Sequence, residues 1–391
     1  MCDTLFIPAD ARPSGSCYFA KNSDRNPDEP QVMMISGTGK HSCLLSRPVW
    51  MHGAEMGVNA RGVVIGNEAV FAKKKADPHG VLGMDTLRSA LEQADTARQA
   101  MEIIATSVEN GTQGGNGAFK GTLVYDNSYL VADFDGAWII ETAGHRWAAK
   151  QLWGPGAISN TYSLTDEFER ADSATLSEKG PGYSWKKRVE SRLYRLITRG
   201  DTRRASSLQN AAGMVDGVAN VFSAMRSHGP YNLGRPNLKN MTSVCMHEGG
   251  IVNNSTTASM VVDLRPKTHS AVIWFTAGPA PCLSLYRPAL LEHGVFKILW
   301  TDYDYGESSQ VSADYWKSRR TATASLQRRA FRDPSFAGRR DAAQSALVDL
   351  IAHRCNADGD GSLRTEVNRI IEEFERQCDS DAGTRPMSAR S

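Results

Sequence analysis

Strand-forming segments in this chain come in blocks, and that ordering restricts its fold more than any other feature. Apolar stretches at residues 4–7 and 17–20 flank a Pro13-Ser14-Gly15-Ser16 turn, and those at 54–58 and 63–70 flank Asn59-Ala60-Arg61-Gly62. Helical spacing follows over 83–93, with Met84, Leu87 and Leu91 on one face, and over 96–110, with Ala97, Met101, Ile104 and Val108. Asp95-Thr96 supplies the cap between them. Strands return at 122–124, 128–132, 137–141 and 146–151, with Asp133-Phe134-Asp135-Gly136 as a hairpin turn. Helical segments at 183–199 and 206–225 precede an apolar strand pair at 256–264 and 270–276, and the chain from Gln310 onward is helical and basic. Alternating β and α segments would imply a parallel sheet. Blocks imply α+β, with helices packed against stacked antiparallel sheets. At 391 residues, with no internal repeat, the chain is long enough to bury a large core in this way.

Composition removes several function classes. Lys and Arg number 45 against 43 Asp and Glu, a formal charge of +2, so no global field attracts nucleic acid or an anionic membrane. No apolar run approaches the ~20 residues of a membrane helix. The seven cysteines (Cys2, Cys17, Cys43, Cys245, Cys282, Cys355 and Cys378) are odd in number and lack a CxxC pair, which suits free thiols in a reducing compartment. With no secretory or transit segment ahead of Met1, the expectation is a soluble cytoplasmic protein without nucleic-acid or membrane partners, homo-oligomer formation being left open.

Met1-Cys2 is the feature that carries chemistry. Cys is small enough for methionine aminopeptidase to expose, and one residue would then hold both a thiol nucleophile and a free α-amine. That amine has an unperturbed pKa of roughly 7.7–8.0, so a useful fraction is basic near neutrality. Nucleophile and base are tethered a few bonds apart, which removes most of the entropic cost of assembling them.

Four other segments bear on the same chemistry. FAKNSDR at residues 19–25 is polar and charged directly after an apolar strand; paired with the strand starting at Cys2, it ends near the N-terminus. There Asp24 can hold the amine, while Lys21 or Arg25 depresses the pKa of amine and thiol; a solvated loop with a surface ion pair is the plainer reading. Asn67 and Glu68 interrupt an apolar strand and need partners. Asn160 follows another strand end, and two Asn amides are suitable donors to the oxyanion of a tetrahedral intermediate. Cys245-Met246-His247 offers a Cys-His pair, ranked below Cys2 because Cys2 carries its own base. His247-Glu248 lacks the second His of a zinc protease, and no other Cys/His cluster has metal spacing, so neither metal nor cofactor is expected. The Gly-rich loop at 111–121 lacks a phosphate-loop ending and reads as a lid or connection. Residues 356–362 imitate a calcium loop, but the ninth and twelfth positions from Asn356 are Arg364 and Val367, so a tight interhelical turn is expected.

Taken together, these segments resemble the C69 peptidase family of dipeptidases and secernins. The resemblance rests on Met1-Cys2-Asp3-Thr4, on FAKNSDR with Glu29-Pro30-Gln31, and on GAEMGVNARGVVIGNEAVF at 53–71. It continues through Gly83-Met84-Asp85, Asn127-Ser128 to Glu141-Thr142, ISNTYS at 158–163, CMH at 245–247 and TTASMV at 256–261, covering roughly the first 300 residues in order. It implies the four-layer αββα fold of N-terminal nucleophile hydrolases, two stacked antiparallel sheets between helical layers. It also implies kinship with choloylglycine hydrolases and penicillin V acylases. Carried over by position, Cys2 is the nucleophile and its α-amine the base, Lys21 stands where the acylases have Arg, Asp24 matches their N-terminal Asp, and Asn67 and Asn160 match the oxyanion positions. The acylases' late Arg has no counterpart in TTASMV.

The expectation is therefore a cysteine amidohydrolase cleaving a small amide or dipeptide through a thioester. The alternatives are an N-acyl amide acylase or acyltransferase on the same site, and a non-catalytic secernin-type regulatory protein. Arg25, Trp50, His52, His228 and His247 are weak candidates for substrate contact. The expected organisation is a catalytic domain over 2–305, a helical extension over 306–378 and a disordered tail over 379–391.

Overall fold

The computed structural model describes residues 1–9, 14–212, 217–229, 241–249, 253–300, 310–330, 333–354 and 360–382. In chain order its strands are β1 (Cys2–Ile7), β2 (Cys17–Arg25), β3 (Gln31–Ser36), β4 (Cys43–Pro48), β5 (Met56–Asn59), β6 (Val64–Val70), β7 (Asp126–Ala132), β8 (Ala137–Ala143), β9 (Arg146–Leu152), β10 (Gly156–Ser159), β11 (Arg170–Ala171), β12 (Ser255–Arg265), β13 (Ser270–Thr276), β14 (Tyr286–Glu292) and β15 (Val295–Ile298). The helices are α1 (Gly83–Leu91), α2 (Ala97–Asn110), α3 (Ser173–Glu178), α4 (Trp185–Val189), α5 (Arg192–Thr198), α6 (Gly200–Ala212), α7 (Val218–Met225), α8 (Gln310–Ala330), α9 (Pro334–Arg354) and α10 (Asp360–Ala382).

The strands form two antiparallel sheets. One has seven strands in the order β10-β1-β2-β12-β13-β14-β15, the other eight in the order β11-β9-β8-β7-β6-β5-β4-β3. The sheets meet where β1 and β10 lie against β6 and β7, burying Phe19, Leu130 and Ile158 in one cluster. Helices α1 and α2 cover the outer face of the larger sheet, with Leu87, Leu91, Met101 and Ile104 against Ile65, Val131 and Ile140. Thr96 caps α2 by accepting from Gln99 N at 3.1 Å. On the other side α6, α7 and α9 cover the seven-stranded sheet; Phe222 stacks on Tyr286 and meets Trp274 edge-on. The architecture is α+β in four αββα layers.

Strand β2 shapes the site. It pairs with β1 (Cys2 opposite Ser23, Thr4 opposite Lys21) and with β12 (Thr256 opposite Asp24), and every residue in it is buried. The polar run FAKNSDR is thus the end of a central strand, not a solvated loop. A β-bulge between Thr256 and Ala258 bends β12 beside it. Strand alternation sends Lys21, Ser23 and Arg25 toward the second sheet and Asn22 and Asp24 toward the helices, so one short segment supplies two polar layers.

Other departures from the sequence reading are local. Residues 122–124 are not a strand. The helix expected over 183–199 breaks into α4 and α5 because Glu190 turns inward, accepting from Thr161 Oγ1 at 2.7 Å and Tyr162 N at 3.0 Å. The segment at 206–225 belongs to two helices, α6 and α7. The C-terminal helices dock on the seven-stranded sheet, with Trp316 Nε1 donating to Thr257 O at 3.1 Å and Gln344 Nε2 to Tyr286 O at 3.0 Å. Helix α10 runs to Ala382, past the expected start of the tail; residues 383–391, most of the turn imitating a calcium loop, Cys355 and Pro13 lie outside the described residues.

Candidate functional site

A cleft of about 500 Å³ opens beside the N-terminal end of β1 and the C-terminal end of β6, and Cys2, Asp24, Asn67 and Asn160 all line it. Cys2 sits on the floor, only 6 % exposed, beneath Met1. Its backbone nitrogen donates to Asn160 Oδ1 at 2.8 Å, and its Sγ accepts from Asp24 N at 3.4 Å. The α-amine of Met1 donates to Asp24 O at 2.7 Å, so backbone rather than carboxylate holds the terminus. Burial pushes the Cys2 thiol up to about 12, against the opposing pull of the terminal ammonium and Lys21. At neutral pH the thiol is therefore protonated and needs a base.

The two asparagines are fixed by their partners. Asn160 Oδ1 also accepts from Arg203 at 2.7 Å, and its Nδ2 donates to Ala69 O at 2.8 Å. Asn67 Oδ1 faces Lys21 Nζ at 3.3 Å, and its Nδ2 donates to Asn127 Oδ1 at 3.0 Å. With oxygens facing obligate donors, neither amide can be reversed; the Asn160 NH2 keeps a second hydrogen beyond the bond named, whereas that of Asn67 rests on Met84 Sδ at 3.4 Å, a weak acceptor.

Lys21 lies beneath the cleft and is completely buried. Its ammonium donates to Glu55 O at 2.7 Å and to Asn67 O, and pairs with Glu55 Oε2 at 3.4 Å. Burial alone would lower its pKa, but Glu68, Cys2 and Glu55 raise it, so it stays charged. Gly66 is what lets the lysine stem pass: a Cβ there would stand 2.8 Å from Lys21 Cδ and 3.1 Å from Phe19 Cζ.

Glu55, which no single-residue argument from the sequence singled out, joins these groups. It pairs with Arg25 at 2.6 Å and with Lys21, accepts from Ser23 Oγ at 3.1 Å, and lies 4.0 Å from Cys2 Sγ. Burial would raise its pKa; Arg25 and Lys21 outweigh that and hold it below the ordinary carboxylate range. Arg25 is thereby committed, bound also to Glu29 and to Gly117 O of the Gly-rich loop, which forms one wall of the cleft. The signal for Glu55 was available as an acidic residue inside the apolar run Gly53-Ala54-Glu55-Met56.

Arg203 on α6 was also missed. It is fully buried and lies 3.6 Å from Asp3, 3.7 Å from Asp24 and 3.0 Å from Ser159 Oγ. Its surroundings in the sequence, RGDTRRASS, look like any exposed helix face. Burial still raises the nearby acids: Asp3 to about 7, against Arg203, and Asp24 to about 6, against the terminal ammonium, Arg203 and Thr256 Oγ1, which donates at 2.6 Å. Glu68, which accepts from Thr4 Oγ1, is pushed by burial up to about 8 despite Lys21.

The remaining candidates do not line this cleft. Trp50 donates to Glu29 Oε1 at 2.6 Å, and His52 lies beside Arg88. His247 is buried 3.5 Å from Cys245 Sγ, so the Cys-His pair exists, but Cys245 has no exposed surface. The fold adds His228 and Cys282 to that pair. The sequence reading found no metal spacing because the four residues come from three separate segments.

No family model matches the chain. Among solved structures it is similar to a mutant of the conjugated bile acid hydrolase of Clostridium perfringens, at 10 % identity and a TM-score of 0.42, over 70 % of this chain and 88 % of that one. It is also similar to a Caenorhabditis elegans ortholog of N-acylethanolamine-hydrolyzing acid amidase, at 11 % identity and a TM-score of 0.39, over 68 % of this chain and 93 % of that one.

Proposed function

We propose that the protein is a cysteine amidohydrolase of the N-terminal nucleophile type, cleaving a small amide or dipeptide once the Met1–Cys2 bond has been cut. The observation that carries this reading is the hold on Cys2. Its nitrogen is bound to Asn160 Oδ1 at 2.8 Å while its sulfur accepts from Asp24 N at 3.4 Å. Cutting the bond turns that held nitrogen into the α-amine. The neutral amine takes the thiol proton, directly or through water, and the Asp24 N–H stabilises the thiolate. The thiolate attacks the substrate carbonyl, and the second hydrogen of the Asn160 amide, joined by that of Asn67 as it leaves the weak acceptor Met84 Sδ, receives the developing oxyanion. The ammonium protonates the leaving nitrogen. The same amine then activates the water that hydrolyses the thioester. Asp24, carried by β2, positions the amine, and Lys21 holds Asn67 and offsets the charge of Glu55.

A second reading, an N-acyl amide as substrate, is favoured by one feature of the cleft. Phe71 stacks on Tyr194 at 4.2 Å, and Phe119, Leu123 and Ile197 extend that apolar wall. A panel of dipeptides and N-acyl amides, with and without an added amine acceptor, separates hydrolysis of peptides from acylase and acyltransferase activity. Cys2→Ala should abolish turnover on whichever substrate reacts, and Cys2→Ser should leave only a trace. Full turnover in Cys2→Ala with loss in Cys245→Ala would move the nucleophile to Cys245.

A further inference from the structure

Around the start of β12, the partner strand of Asp24, the fold assembles a second set of reactive side chains. His228 follows α7, Cys245 and His247 precede β12, and Cys282 lies in the single turn Pro281–Leu283 after β13. One ligand atom from each lies within 4.8 Å of every other. His247 Nε2 stands 3.5 Å from Cys245 Sγ and 3.3 Å from Cys282 Sγ. Tetrahedral zinc with Zn–S and Zn–N bonds of about 2.3 and 2.0–2.1 Å sets neighbouring sulfur and nitrogen ligands about 3.5 Å apart. From this geometry we infer that His228, Cys245, His247 and Cys282 form a structural zinc site, independent of the Cys2 chemistry proposed above.

The donor set selects the metal. Two thiolates and two imidazoles suit zinc; magnesium and calcium want oxygen, and none of the four residues is a carboxylate. Four protein ligands complete a tetrahedron and leave no open position, the arrangement of a structural rather than a catalytic zinc. Binding joins the ion to two sulfurs and two nitrogens; each thiol releases its proton to solvent and nothing is oxidised or reduced. Two thiolates cancel the charge of the ion, so the filled site is neutral and suits its buried surroundings.

The backbone at the ligands is fixed by bonds of its own. Cys245 N donates to Ser227 O at 2.9 Å, tying the two histidine-bearing segments together, and Arg340 donates to Cys282 O at 2.5 Å. Ala280, two residues before Cys282, holds φ +56°, and its N–H donates to Thr256 O at 2.9 Å. Thr256 is also the link to the cleft: its Oγ1 accepts from Met246 N at 2.9 Å and donates to Asp24 Oδ1 at 2.6 Å. Zinc would thus pin the segment behind Asp24.

The test uses the full chain carrying Cys2→Ala, so that the reactive thiol does not bind metal. Elemental analysis of protein purified from zinc-supplemented cells without chelator should find one zinc per chain, lost in Cys245→Ser and Cys282→Ser. After exchange into cobalt, the folded reduced protein should show a thiolate-to-cobalt charge-transfer band, absent in either serine variant. Where a serine variant fails to fold, differential alkylation of the Cys2→Ala chain decides: chelation should expose Cys245 and Cys282 while leaving labelling of the other cysteines unchanged. Three results would overturn the site. They are folded, reduced protein that takes up neither metal, undiminished metal in a folded Cys245→Ser/Cys282→Ser variant, and a Cys245–Cys282 disulfide in protein isolated from reducing cells.

Discussion

Glu55 balances two buried cations and faces the sulfur of Cys2, and these two duties can be separated by mutation. Glu55→Gln leaves Arg25 with Glu29 alone and removes the ion pair to Lys21. Breaking such a buried pair from one side typically costs about 3–5 kcal/mol, and a matching fall in denaturation midpoint is expected. The same change removes a negative charge 4.0 Å from the thiol, so alkylation of Cys2 should begin at lower pH than in the parent protein. An unshifted alkylation profile would mean that Glu55 does not set the thiol's proton affinity. Asn67→Ala and Asn160→Ala should each lower kcat by about 10²–10³ with little change in KM, the usual cost of one oxyanion donor. Asn160→Ala should also disturb the pH profile of kcat/KM, because it holds the nitrogen proposed as base; an effect on KM alone would make either residue a substrate contact. At this scale the sequence was legible where polarity broke an apolar strand, as at Asn67. It was silent where partners arrive from afar: nothing near Arg203 announces that Asp3 and Asp24 will receive it.

Strand β2 shows how an element hides its character. Its last residues carry charge and amide groups, which taken alone suit a loop, yet β1 and β12 flank it and bury it completely. Period-two alternation then divides the polar residues between the sheet interface and the helix layer. A local reading cannot see this, because the partners that satisfy the run, Glu55 on one face and Thr256 on the other, lie 30 and more than 200 residues away. The strand pair 256–264 and 270–276 was legible because its apolar pattern is strong and local. The His-Cys cluster was not, since no spacing rule spans three segments. Gly66→Ala tests the packing beneath the cleft: its methyl would crowd Lys21 and Phe19, and a loss of about 1–3 kcal/mol is expected. Activity should fall with it as Lys21 shifts from Asn67, and unaltered stability and turnover would show that the interface yields there.

Across the whole molecule, the polar interior makes stability depend on pH in a particular direction. Burial lifts Glu68 to about 8 and Asp3 to about 7, above the ordinary carboxylate range. The native state therefore binds more protons than the unfolded chain between about pH 4 and pH 8, and stability declines as pH rises through that window. Glu68→Gln should flatten the alkaline part of the decline in a series of thermal midpoints, and an unchanged slope would remove Glu68 as its source. The α+β class with stacked antiparallel sheets was legible from the blocks of strands and helices and the four-layer order only from the family resemblance, whereas which strand would carry the cleft followed only from pairing. Every step proposed for catalysis depends on the nitrogen of Cys2 being a free amine. The direct measurement is intact mass and N-terminal peptide mapping of active enzyme, before and after a rapid quench with a turned-over amide. The account predicts chains that begin at Cys2, activity in proportion to their fraction, and an acyl group trapped on the Cys2 sulfur. Chains that retain Met1 and hydrolyse the amide at the full rate would contradict it.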